Sequence, residues 1–189
     1  MFVLKWALLG VGSLAGAAVV TGAVFFGLSF AGAPAPGCAD GDIPVSEAAA
    51  ASFDQKWDAF EAAAKAGPAT VTFTEEELTS RAQRYVEDRD LPVKNVQVHL
   101  CPGESKGQAV GEVKILGRYV DVVITGHLDT DRESPTVVID KLTVGAVPRQ
   151  ITSWLVDRVE DTVDLSDIST DVPISQVTTT ADSATLTKS

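Results

Sequence analysis

Histidine is nearly missing from this chain: His99 and His127 are the only two. A hydrolytic nucleophile needs a base that a third group holds in place, so acyl-transfer chemistry has little to work with. Both histidines fall on the polar phase of strand-like segments and read as solvated strand residues. G-x-S-x-G, a phosphate-binding loop, a dinucleotide fingerprint and H-E-x-x-H are all absent. No catalytic residue, cofactor or metal is therefore assigned. The run Asp129-Thr130-Asp131-Arg132-Glu133 spaces three carboxylates as a hard cation accepts them. Arg132 inside the run and the missing ligand-loop pattern make it a solvated hairpin loop instead. Glu75, Glu76 and Glu77 read as first-turn carboxylates favoured by a helix dipole.

Positive charge is also short. The formal net charge is −11, and −12 once Lys5, the sole charged residue before Asp40, is set aside. Nucleic acid is excluded as a partner, because binding it depends on Lys and Arg neutralising phosphates. The same acidity opposes adsorption to an anionic membrane, so a lipid contact is expected in a pocket and not on a basic patch.

Charge disappears altogether from Trp6 to Phe30. These 25 residues, at about 1.5 Å per residue of helix, exceed a hydrocarbon core of roughly 30 Å. Lys5 precedes the run and Asp40 and Asp42 follow it, which places the N-terminus in the cytoplasm and the remainder outside. The expectation is a single-pass cell-membrane protein. The rival is a cleaved signal peptide ending at Ala31-Gly32-Ala33, and the length of the apolar run favours the anchor. Cysteine is limited to Cys38 and Cys101, both on the outer side, where disulfides persist. Two readings stay open: a bridge tying the linker to the domain, or one free and one buried thiol.

The chain divides into an anchor (1–30), a linker rich in Ala, Pro and Gly (31–45), a stalk helix (46–67) and an α+β domain (68–189). Ser46 caps the stalk, whose stripe is Phe53, Trp57, Phe60 and Ala64, and Gly67-Pro68 stops it. It either packs on the domain or lies near the membrane surface. Thr74 and Glu77 form a capping box for a second helix with the apolar face Leu78, Ala82, Tyr85 and Val86. From Val93 the period changes to two: Val96, Val98 and Leu100 face one way, and Asn95, Gln97 and His99 the other. A hairpin with Gly117-Arg118 as its central pair sets Ile115 opposite Val120, Val113 opposite Val122, Gly111 opposite Ile124, and Lys114 opposite Asp121. Thr136 to Val144 does not alternate cleanly, which a bulge near Asp140-Lys141 or burial on both sides explains. Pro148 opens a helix with the stripe Ile151, Trp154, Leu155, Val159 and Val163. Strand-like residues return at Val172 to Thr178 and Ala184 to Thr187.

Three stretches, VTFTEEELTSRAQRYVED, LPVKNVQVHLCPG and VKILGRYVDVVITGHL, precede VVIDKLTVGAVPRQITSWLVDRVEDTVDL, in which a strand closes on Gly-x-x-Pro and leads into an amphipathic helix. This order resembles the YpmS-like and LmeA-like extracytoplasmic, membrane-associated families, related to the tubular lipid-binding (TULIP) superfamily. The resemblance covers Val71 to about Thr187. It implies a curved antiparallel sheet packed around amphipathic helices, preceded by one transmembrane helix, with an apolar groove that takes acyl chains of a phospholipid or other lipid. Mapped onto this chain, the groove positions are Leu78, Tyr85, Val113, Ile115, Val122, Ile124, Ile139, Leu142, Ile151, Trp154, Leu155 and Val159. The expected function is non-catalytic lipid binding. The alternative is an extracytoplasmic module that scaffolds a cell-envelope protein partner through a sheet edge or the stalk helix.

Overall fold

The computed structural model describes residues 37–38, 41–115, 117–130, 136–145 and 172–189. The expected anchor over Trp6–Phe30, most of the 129–135 loop and the helix expected after Pro148 lie outside them. Over the described residues the chain is α+β, with two helices and two antiparallel sheets. No helix among them is long and apolar enough to cross a membrane.

Helix α1 runs Glu47–Ala66. The Ser46 hydroxyl accepts the Ala49 N–H at 3.1 Å and satisfies one of the donors a helix start leaves over. The Ser46 N–H in turn donates to Ser80 Oγ at 3.0 Å, so the cap is bonded to the second helix. Strand β1 (Ala69–Thr74) follows at once. Phe60 and Ala64 of α1 are buried with Val71 and Phe73 of β1 and with Val172 and Ile174. Phe53 stacks on Phe73 with ring centroids 4.4 Å apart, and Trp57 closes the aromatic group 5.9 Å from Phe60. The stalk stripe thus packs into the core. Its charged side is partly engaged as well: Asp54 pairs with both Arg81 and Arg84 of the second helix, and Glu47 with Arg84.

Helix α2 (Glu75–Asp88) begins at the complete Thr74/Glu77 capping box. Its buried residues are Glu77, Thr79, Ser80 and Val86, whereas Leu78, Ala82 and Tyr85 are only half-buried. Of the expected apolar stripe only Val86 is buried, and the polar positions Glu77, Thr79 and Ser80 pack as deeply. The reason lies in the neighbouring strand β2 (Val93–Cys101), an edge of its sheet, whose outward N–H groups need acceptors. Leu100 N donates to Glu75 Oε1 at 2.6 Å, Val98 N to Thr79 Oγ1 at 2.9 Å and Val96 N to Gln83 Oε1 at 3.1 Å. Polar side chains bring helix and edge together.

Glu77 joins the two helices. It is 7% exposed and accepts from Ser52 Oγ at 2.6 Å, Lys56 Nζ at 2.8 Å and the Thr74 N–H at 3.0 Å. Burial pushes its carboxyl up, but those three donors outweigh it, and the group titrates below its ordinary value of 4.5.

Strands β2, β3 (Lys106–Ile115), β4 (Arg118–Asp129) and β5 (Thr136–Val144) form one sheet in that order. Strands β6 (Gln176–Thr179) and β7 (Ser183–Lys188) join β1 in a second, in the order β1-β7-β6. The single sheet expected from sequence is thus divided, because the C-terminal strands return to β1.

The β3–β4 register corrects the sequence-based one. Ile115 faces Arg118, Val113 faces Val120 and Gly111 faces Val122, so the turn is centred one residue earlier. Gly117, at φ +81°, is the second of the two turn residues and not the first. Moving the turn centre by one residue changes each partner by two, which preserves side-chain parity, so the valines keep their common face. The expected Lys114–Asp121 pair is lost: Lys114 stands opposite Tyr119, and Glu112 opposite Asp121. In β2 the expected alternation fails at Asn95-Val96, where the register shifts and Asn95 takes φ +53°. In β5 the extra residue is Asp140, since Thr125 pairs with Lys141 and Gly126 with Ile139.

Three outcomes are expected. Thr79→Val leaves the Val98 N–H without its acceptor and lowers stability by about 1–3 kcal/mol; amide exchange at Val98 accelerates more than at Leu100. Because the Glu77 pKa is depressed in the folded chain, its contribution is present above pH 4.5 and is lost as pH falls through the folded value. Glu77→Gln therefore lowers stability at neutral pH by about 1–3 kcal/mol in urea unfolding and flattens the acid limb; an unchanged acid limb contradicts this. A Cβ on Gly126 would lie 2.5 Å from the Val138 carbonyl oxygen, whereas one on Gly107 has its nearest neighbour at 3.5 Å. Gly126→Ala should cost about 1–3 kcal/mol in the same assay and Gly107→Ala far less.

Candidate functional site

The four-stranded sheet has two chemically different faces. On one, Val113, Val120, Val122, Leu142 and Val144 are at most 4% exposed, and half-buried Val93, Ile124 and Ile139 pack against them. Strand alternation aligns these positions, and the extra residue at Asp140 returns Ile139 to the face of Leu142. Every described member of this cluster stands on a strand or at its start; neither described helix contributes a side chain. The same face continues to Leu128, which joins the aromatic core, and to its cross-strand neighbour Val137, which is 37% exposed.

Of the predicted groove residues, Val113, Val122, Ile124, Ile139 and Leu142 come together here. Leu78 packs instead against the core of α1 and the three-stranded sheet. Tyr85 belongs to neither cluster: its hydroxyl bonds Arg89 Nη1 at 2.6 Å, and the Arg89 guanidinium sits 4.3 Å from its ring centroid. Ile115 ends β3 opposite Arg118. Ile151, Trp154, Leu155 and Val159 lie outside the described residues.

The opposite face is mixed, with Val110 and buried Val123 standing beside a polar row. His99, Gln108, Thr125 and Lys141 form a row across all four strands, and Gln108 Nε2 donates to Thr125 Oγ1 at 3.1 Å. Cys38 and Cys101 are joined by a disulfide, with Cα atoms 4.7 Å apart and 63 residues between them in sequence. Beside it the Gly37 N–H donates to Gln108 Oε1 at 2.8 Å. His99 is 3% exposed, not solvated as its strand phase suggested. Polar alternation makes Gln108 and Thr125 visible in the sequence as the outer phase of their strands. Nothing local marks that a segment so distant in sequence is fixed beside them.

Further along this face Lys94 pairs with Glu112 at 3.0 Å and lies 4.0 Å from the Tyr119 ring centroid. Asn95 donates to Glu112 Oε1 at 2.6 Å, and this bond first, with Lys94 second, draws the Glu112 carboxyl below its ordinary value. His127 Nδ1 is 3.1 Å from Asp140 Oδ2. The two histidines are thus separately placed, one buried in the row and one paired at a bulge. Among the described residues no group of three or more His, Cys, Asp or Glu side chains could hold a metal ion. The arrangement offers an apolar strand surface for burial and a polar surface tied to the N-terminal segment. Comparison with family models, with curated proteins and with solved structures finds no match to this chain.

Proposed function

We propose that the chain is a membrane-anchored, extracytoplasmic lipid-binding module with no catalytic chemistry of its own. The observation that carries this reading is the apolar strand face, built from β3, β4 and β5 without any side chain from the described helices. In the proposed arrangement the sheet curves around amphipathic helices as in the TULIP relatives the sequence resembles. An acyl chain reaches the face where Ile124, Ile139 and Val137 are incompletely buried. Burial gives about 0.8 kcal/mol per CH2, so an eight-carbon stretch contributes about 6 kcal/mol, enough to hold a chain with its head group at the rim. Support for the outer location comes from the Cys38–Cys101 disulfide, since such bonds persist in oxidising compartments, and from the uncharged Trp6–Phe30 run as an anchor with its N-terminus in the cytoplasm.

Native mass spectrometry of the full chain, purified from membranes in mild detergent and followed by organic extraction, tests the reading. A stoichiometric phospholipid or other acyl lipid is expected. Ile124→Asp, at the half-buried margin, should remove it while the chain stays folded. A lipid-free, stable monomer would instead move the assignment to an envelope protein-interaction module.

A further inference from the structure

The disulfide fixes more than the linker. Cys38 is eight residues beyond Phe30 in the sequence, and an extended chain covers at most ~3.6 Å per residue; with 4.7 Å more across the disulfide, the Cys101 end of β2 lies within about 34 Å of wherever Phe30 sits. On the anchor reading above, on which this inference rests, Phe30 is at the outer membrane–water boundary. The bridged end of the polar face is then tethered close to the bilayer, whereas α1 would otherwise begin only after the longer 31–45 linker.

Charge singles out the same face. Lys94, Lys106, Lys114 and Lys141 occupy its polar phase, half of the chain's eight lysines. They balance Glu112, Asp121, Asp129 and Asp140, so this surface is neutral on a chain of net charge −11. Glu112 is engaged by Lys94 and Asn95, and Asp140 by His127. At the far end of the face, beside the β3–β4 turn, Lys114 is exposed and the Tyr119 ring opposite it is 45% exposed. Cations beside an exposed tyrosine are the side chains that settle at a membrane–water interface. The repulsion that an acidic chain feels from an anionic bilayer is absent here and present elsewhere.

We infer that the polar face of the four-stranded sheet lies against the bilayer surface, held at one end by the Cys38–Cys101 staple and at the other by Lys114 and Tyr119. The occupant is the anionic lipid surface itself. The disulfide sets the orientation, because without it the domain hangs from residues 31–45 and either face can turn toward the membrane.

The test is lysine acetylation of the full chain in nanodiscs of 70% phosphatidylcholine and 30% phosphatidylglycerol, read by peptide mass spectrometry. Lys94, Lys106, Lys114 and Lys141 are expected to react at least about threefold more slowly, relative to Lys56, Lys65 and Lys188, than in the same chain held in detergent. Cys38→Ser/Cys101→Ser should abolish that difference. Lys114→Glu/Tyr119→Ser, which leaves the staple intact, should weaken it at Lys94, Lys106 and Lys141 and keeps the test decisive if the cysteine variant fails to fold. Equal labelling of both lysine groups in a nanodisc-inserted chain overturns the inference and leaves the anchor reading standing. A chain that does not insert overturns the anchor reading and this inference together.

Discussion

Three hydrogen bonds between α2 side chains and the backbone of β2 determine how the described parts fit together. Glu75, Thr79 and Gln83 recur every four residues, a helical advance of about 6 Å, while Leu100, Val98 and Val96 recur every two, a strand advance of about 6.8 Å. The near match lets one helix serve three successive outward N–H groups of an edge strand. It also explains why Thr79 is buried where Leu78 and Tyr85 are not; Ser80, buried beside it, serves the α1 cap. Once α2 lies along β2, Glu77 is brought to Lys56 and Ser52, and α1 is placed over β1.

Local rules in the sequence carried much of this. Ser46, the Thr74/Glu77 box, Gly67-Pro68 and the stripe of Phe53, Trp57, Phe60 and Ala64 all act within a turn or two of themselves, and the helices form where those signals stand. The bulge was legible because Asp140-Lys141 interrupts the period of an otherwise apolar strand. The hairpin register was not, since a glycine fits either central place of a two-residue turn and both choices keep the valines on one face. His99 was misplaced for another reason: strand phase tells which side a residue faces, and says nothing of what covers that side. The division into two sheets escaped because it depends on β1 meeting β7 across almost the whole domain.

The two faces of the four-stranded sheet divide the work on the proposed reading. One concentrates branched aliphatic side chains with no titratable group among them, suited to burial and indifferent to pH. The other gathers the disulfide, the lysines and the bonded polar row. A sheet with such contrasted sides has an intrinsic up and down, and a tether fixed to one side turns that chemical difference into an orientation.

The pairing of β1 with β7 sets the order in which the chain can fold. Ala69 is partnered by Lys188 and Phe73 by Ala184, so the sheet that backs Phe60 and Phe73 waits for residues made more than a hundred positions later. Such distant pairing is slow to form. A chain delivered N-terminus first carries its α1 aromatics unsheltered until β7 emerges. Strand β7 therefore acts as a clasp, and removing it would leave an exposed aromatic surface for chaperones and proteases to find.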